Sequence, residues 1–342
     1  MQVTKQHKIA ALLGIVVAAL LIWGAGTDSE MEYFHNEGKV FGTYYNIRYE
    51  AHANLEDSIQ AALTAFDSSL SMFNPHSVLS AVNANRDTLT DDLFEAMWQE
   101  AAQVWEVSDG AFDITVAPLV NLWGFGIKGK PATGPSINEK EIDSLRAFVG
   151  FEKVQLVDHK VVKTDPRCMI DAGAVAKGQA CDVVADMLRR QGCLNYLVDI
   201  GGEVVAHGIN AKGEPWHIGI TKPNVNNNGA QDELQDILPT SDICMATSGN
   251  YRNYYYDGDE RRSHTIDPRT GRPVQHSLLS ATVVSSTCMR ADALATACMV
   301  LGAEKALAMI ERAQDAACYL IVAQNDSLVT VTSPNWEEKV IK

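Results

Sequence analysis

In Asp292-Ala293-Leu294-Ala295-Thr296 a carboxylate and a hydroxyl stand four residues apart, which on a helix places them on one face. With a backbone carbonyl they make a hard-oxygen set suited to Mg²⁺ rather than Zn²⁺, and such an ion completes its shell with water and substrate phosphates. The alternative is that Asp292 only complements a helix dipole. Asp171-Ala172-Gly173-Ala174-Val175-Ala176-Lys177-Gly178 reads as a small-residue turn into a helix. There the backbone can approach a ligand closely, free N–H groups face an anion, and Lys177 adds a positive charge. It lacks the GK[ST] ending of a Walker loop, and a plain turn with Lys177 in solvent is the other reading. In Ser263-His264-Thr265-Ile266-Asp267-Pro268-Arg269-Thr270-Gly271, His264 leaves a strand just before a turn. It is a candidate proton acceptor, or else a structural donor, while Asp267 and Arg269 pin the turn. Asp113, within the apolar run Phe112–Val116, must find a hydrogen-bond partner in a ligand or in neighbouring backbone.

The elements that hold these groups are read from periodicity. Val40–Glu50 is β-branched and aromatic and predicts a strand, while Asn54–Leu70 carries apolar residues at helical spacing. Leu93–Val107 repeats that spacing behind Asp91 or Asp92 as cap and ends at Asp109-Gly110, before an extended Phe112–Val116. Gly124–Ser136 is a Gly- and Pro-rich loop. Lys153–Lys163 predicts a strand pair about Asp158-His159, and Ala176–Arg190 an amphipathic helix closed by Gly192. Strands follow at Tyr196–Ile200, Glu203–His207 and Trp216–Ile220, then an Asn-rich, acidic loop at Asn224–Asp236. Tyr251–Ile266 predicts a hairpin about Asp257-Gly258, a pair that favours the type I′ turn. Leu279–Ser285 is a strand, Ala291–Ala313 is helical with a break near Gly302, and Tyr319–Ala323 with Ser327–Val331 closes the chain as a strand pair. Antiparallel hairpins between helices predict an α+β fold and not a doubly wound parallel sheet.

The 342 residues carry 28 Lys+Arg against 43 Asp+Glu, a net charge of −15, which with no local basic cluster argues against nucleic acid as a partner, since binding it requires a basic face that releases counterions. A hydrophobic content of 46% is that of a globular protein. The seven Cys form no CxxC or zinc spacing and predict buried thiols. Lys5, His7 and Lys8 precede an uncharged run, Ile9–Gly26, with the order of a signal peptide or membrane anchor and a small-residue cleavage site at Gly24-Ala25-Gly26. The organisation expected is an export segment over residues 1–26, a linker over 27–39 and one domain over 40–342, in a protein that is exported and periplasmic, cleaved or anchored to the inner membrane. The first Cys is Cys168, so the apolar run ends without an acylation site.

Together, GAFDITVAPLVNLWGFG, DAGAVAKGQACD, LVDIGGEVVAHG, TSGNY, SHTIDPRTGRPV and ADALATACMVLG occur in the order and approximate spacing of the ApbE family, which the chain resembles from about Val40 to the C-terminus. The resemblance implies a single ApbE-type α+β domain of mixed, largely antiparallel sheets with packed helices. It implies a Mg²⁺-dependent FAD:protein FMN transferase that takes FAD, joins FMN by a phosphoester to a Thr or Ser of a target protein, and releases AMP. Metal ligands would be Asp292, Thr296 and the Ala174 backbone oxygen, with the Ala295 carbonyl. FAD contacts would be Phe41, Phe73, Ala111, Phe112, Asp113, Asp171, Lys177 and Ile266, and His264 would be the base. Acceptors would be flavoprotein subunits of membrane redox complexes, such as the sodium-translocating NADH:quinone reductase or its Rnf-type relative. The chain departs from its relatives at Asn74 and Val78, where basic and acidic residues are frequent, and in lacking an acylated Cys. Two alternatives use the same residues: a hydrolase splitting FAD into FMN and AMP, and an exported FAD-binding protein.

Overall fold

The computed structural model describes residues 30–126, 137–224 and 233–340 except 252, 259 and 326. The expected export segment, most of the Gly/Pro loop and the centre of the Asn-rich loop lie outside these residues. The chain opens with strands β1 (Glu32–Val40) and β2 (Thr43–Ala51), then helices α1 (Glu56–Leu70), α2 (Val78–Asn83), α3 (Asp92–Val107), α4 (Ala117–Leu122) and α5 (Glu139–Arg146). The hairpin β3 (Val154–Val157) and β4 (Lys160–Lys163) leads to α6 (Ala176–Arg190), β5 (Tyr196–Ile200), β6 (Glu203–His207), β7 (Trp216–Thr221), β8 (Leu234–Thr240) and β9 (Asp242–Gly249). After them come β10 (Tyr254–Asp257), β11 (Glu260–Ser263), β12 (Ile266–Asp267), β13 (Arg272–Pro273) and β14 (Leu278–Ser285). Helices α7 (Cys288–Leu301) and α8 (Ala303–Ala313), strands β15 (Ala317–Gln324) and β16 (Ser327–Thr332), and helix α9 (Trp336–Val340) complete the fold.

Eight strands form one sheet in the order β1-β2-β5-β6-β9-β14-β15-β16, every neighbouring pair antiparallel. Alternation along each strand gives the sheet two faces. Tyr196, Val198 and Ile200 of β5 enter the main core with α1, α6 and α7, whereas Leu197 packs into a second core under the β7–β8 ribbon and α9. A third, smaller core joins α4 and α5 to Ile266. Helix α7 is apolar on nearly all sides and runs through the middle of the main core, the arrangement expected of a helix without a polar stripe. No helix among the described residues is long and apolar enough to cross a membrane.

The α+β expectation stands, with corrections at particular elements. Residues 32–40 are the edge strand β1 and not a linker, and the strand expected over Val40–Glu50 is β2 preceded by a turn at Phe41-Gly42, where φ is 51° and 74°. Only Asn36 of β1 is buried, so the strand lacks an apolar alternation that would expose it to sequence reading. Phe112–Val116 is a series of turns with a single bridge from Val116 to Met169. Asp113 bends it, accepting hydrogen bonds from Thr115 N (2.8 Å), Thr115 Oγ1 (2.6 Å) and Phe151 N (2.9 Å). The acidic end of the loop expected over Asn224–Asp236 is the start of β8.

Candidate active site

Helices α6 and α7 meet at Gly178, where a side chain would fall on the Cys288 carbonyl and the Asp292 Cβ. Each helix caps the other. Asp182 of α6 accepts the Cys288 and Met289 amides at 2.9 and 2.8 Å, two of the free N–H groups that open α7. Asp292 of α7 accepts the Gly178 amide through Oδ2 at 3.1 Å, in the first turn of α6. Thr287 is the N-cap of α7, so Asp292 sits in the second turn, only 2% exposed, and acts on the neighbouring helix and not on its own. Gly178 is the third residue of α6, where amides have no partner in their own helix, so Asp292 satisfies a donor that the helix leaves open.

Above this junction lies a cavity of about 680 Å³, within the usual range for cofactor sites. Lys177, Asp292, Thr296 and Ala174 line it, as do Phe73, Ala111, Phe112, Asp113 and Asp171. His264 and Ile266, beyond the β10–β11 hairpin, also line it. The four segments singled out in the sequence therefore converge on one space. Phe41 does not line it: it is in the β1–β2 turn, its ring tilted at 55° against Phe66 with centroids 5.4 Å apart. Ala295 is fully buried inside α7, outside the cavity wall. Asp113, which lines the cavity, also accepts from Thr115 two residues on and from Phe151 across the fold, and so builds the turn that forms this part of the wall. Asp267 pins its turn as expected, through Arg269 N and Nε, both at 2.9 Å.

Charge is concentrated at Lys177. Its Nζ lies 2.7 Å from Glu203 Oε1 and 3.8 Å from Asp292 Oδ1. Burial favours the neutral amine, but Asp292 and Glu203 outweigh it and hold the ammonium above its ordinary range. Burial first, and then Asp292, push Glu203 up to about 8 against the pull of Lys177. Burial likewise raises Asp171, offset in part by the Gly173 amide donating to its Oδ1 at 2.7 Å. Ser248 Oγ and Thr296 Oγ1 are 3.2 Å apart, both on the cavity wall. The His264 Nδ1 faces the Asn253 carbonyl at 3.2 Å. Because a carbonyl only accepts, this contact assigns a hydrogen to Nδ1, and in the neutral ring that makes Nε2 the proton acceptor.

The Asp292 carboxylate and the Ser248 and Thr296 hydroxyls, with Ala174 on the same cavity wall, offer hard oxygen, and among the described residues no group of three His, Cys, Asp or Glu could hold a metal ion by itself. That donor set fits Mg²⁺, which keeps several waters and shares substrate phosphates, and does not fit Zn²⁺. Glu203 and Ser248 belong to the site and carry no role in the sequence reading. The signal for Glu203 was a lone carboxylate opening the apolar run Glu203–His207, and that for Ser248 a hydroxyl beside Gly249. All seven cysteines are free thiols, six of them buried.

Known proteins share this architecture. The family profile described as the ApbE family matches residues 41–320. The chain is 36% identical over 338 residues to the FAD:protein FMN transferase of Vibrio cholerae, covering 94% of this chain and 97% of that one. It is 35% identical to the FAD:protein FMN transferase of Escherichia coli, covering 89% and 88%. Among solved structures, flavin transferase ApbE from Vibrio cholerae superimposes with a TM-score of 0.81 at 35% identity, over 90% of this chain and 99% of that one. The apo form of flavinyl transferase ApbE from Pseudomonas stutzeri does so with 0.80 at 31% identity, over 91% and 98%. A profile spanning most of the chain, relatives above 30% identity over nearly their whole length, and one cavity gathering all four signature segments make the chain a member of the ApbE family.

Proposed function

We propose that the protein is a Mg²⁺-dependent FAD:protein FMN transferase that joins FMN through a phosphoester to a Thr or Ser hydroxyl of an acceptor flavoprotein and releases AMP. The observation that carries the reading is that Lys177, the Asp292–Thr296 oxygens and His264 all line one cavity of about 680 Å³. In the reaction the acceptor oxygen bonds to the FMN phosphorus, the bond from that phosphorus to the bridging oxygen breaks, and AMP leaves with that oxygen. His264 Nε2 takes the hydroxyl proton. Bound Mg²⁺ would be held by Asp292, Thr296 and the Ala174 carbonyl, and would neutralise charge on the pyrophosphate. Lys177 offsets further charge there, and Phe112, Ile266 and the exposed Phe73 give the flavin and adenine rings apolar surface.

Acceptors in this proposal are periplasm-facing flavoprotein subunits of membrane redox complexes of the Nqr or Rnf type. Export through the segment ending near Gly26 would bring the enzyme to them. The test is the intact mass of such an acceptor domain after incubation with the protein from about Thr27 onward, FAD and Mg²⁺. A gain of one FMN phosphoester, absent with Asp292→Ala, supports the transferase. FAD converted to free FMN and AMP with no mass gain would replace it by the hydrolase, in which water takes the place of the acceptor hydroxyl.

A further inference from the structure

Glu203 has no part in the reaction as derived, yet it is the nearest charged partner of Lys177. It opens β6 directly after the Gly201-Gly202 turn and is 2% exposed. The Cys181 thiol of α6 donates to its backbone carbonyl at 3.2 Å, which ties it to the helix that carries Lys177. Its Oε2 is buried with no hydrogen-bond partner, while Oε1 holds the ammonium at 2.7 Å. A carboxylate buried in this way is costly for the fold unless a partner offsets it.

The distances show what the pairing does. Lys177 Nζ is at hydrogen-bond range from Glu203 and 3.8 Å from Asp292 Oδ1, too far for a hydrogen bond. Were Glu203 absent, the same ammonium would have Asp292 as its one carboxylate, and would take the lone pairs that a divalent cation uses. Charge follows the same logic: with all three groups ionised, Lys177, Glu203 and Asp292 sum to −1, and without Glu203 they sum to zero.

We propose that Glu203 is a positioning residue that holds the Lys177 ammonium off Asp292, so that Asp292 Oδ1 stays open to a divalent cation while Lys177 faces the pyrophosphate. This rests on the reading of the site as a cation-binding FAD site. Glu203 then sets metal affinity without touching metal or substrate, as partners of a metal's immediate neighbours do.

The experiment is Mn²⁺ binding, followed by electron paramagnetic resonance of the free ion at pH 8.5, with FAD saturating for each variant as judged by flavin fluorescence. Glu203→Gln is expected to bind Mn²⁺ about tenfold more weakly than wild type. Adding Lys177→Met to Glu203→Gln removes the ammonium and restores the net −1, so affinity should return to within about threefold of wild type. Lys177→Met alone should bind Mn²⁺ more tightly than wild type, which keeps the idea testable if Glu203→Gln folds poorly. Unchanged affinity in Glu203→Gln, a double variant no tighter than Glu203→Gln, or Lys177→Met no tighter than wild type would each overturn the inference. Absence of Mn²⁺ binding by the wild type would overturn the cation reading itself, an outcome distinct from any of these.

Discussion

Asp292 has two duties that pull in one direction. Oδ2 holds the first turn of α6 through the Gly178 amide, and Oδ1 faces Lys177 in the cavity. Asp292→Ala is therefore expected to abolish FMN transfer and also to lower stability by about 1–3 kcal/mol, the cost of leaving a buried amide unpaired. Intact mass of the acceptor and denaturant titration read the two effects separately. His264 meets the Asn253 carbonyl through Nδ1 and the Phe125 ring edge-on, and takes no part in the α6–α7 junction. His264→Gln should lower the rate of transfer by roughly 10²- to 10⁴-fold, the usual contribution of a general base, while flavin fluorescence shows FAD still bound. Loss of FAD binding, or transfer near the wild-type rate, would remove His264 from the role of base.

The pair of helices that carries the site is held by reciprocal capping, and this can be tested at two points. Gly178 lies where α6 and α7 touch, and Gly178→Ala would force a methyl group against the Cys288 carbonyl. Overpacking of this kind costs about 1–3 kcal/mol, and here it would also part Lys177 from Asp292, so both thermal stability and transfer should fall. Asp182 caps α7 from α6, and burial pushes its carboxyl up to about 6 despite the Met289 and Cys288 amides. A carboxyl raised in the folded protein holds its proton more tightly there than in the unfolded chain. Its contribution to stability is thus fully present below the unfolded value of 3.8 and is lost as pH rises through about 6. Asp182→Asn removes this dependence. The stability gap between wild type and Asp182→Asn should narrow by about 3 kcal/mol between pH 4 and pH 7, at roughly 1.4 kcal/mol per pH unit of displacement. A gap that stays constant or widens in urea titrations would contradict it.

Across the whole molecule, the cavity is walled by elements that are distant in the chain, from Tyr44 to Val300, so a ligand there must stabilise the fold as a unit. FAD at a hundred times its dissociation constant should add about 2.7 kcal/mol to unfolding, visible as a rise in Tm. FAD with Mg²⁺ should raise Tm beyond either alone, and the extra rise should vanish in Asp292→Ala. Sequence by itself determined the local units: helix α6 with its stop at Gly192, the break at Gly302 between α7 and α8, the hairpin about Asp158-His159, and the β10–β11 hairpin, whose loop begins at Gly258, one residue past the start of the expected Asp257-Gly258 pair. Each depends on spacing or turn chemistry within a few residues. It also held, unread, the start of α5, where Asn138 and Glu141 form a reciprocal cap through each other's amides at 3.0 Å. The motif segments named the residues of the site, yet each left a structural alternative open, because a carboxylate or a lysine acts according to what faces it. Tertiary structure decided that β1 is an edge strand, that Asp113 builds a turn, and that the Phe41 ring packs against Phe66. It also decided that Lys177 is shared between Glu203 and Asp292, residues 26 and 115 positions along the chain from it. Pairing across such separations comes from sheet order and helix packing, and these depend on which buried surfaces fit one another and not on the neighbours of any one residue.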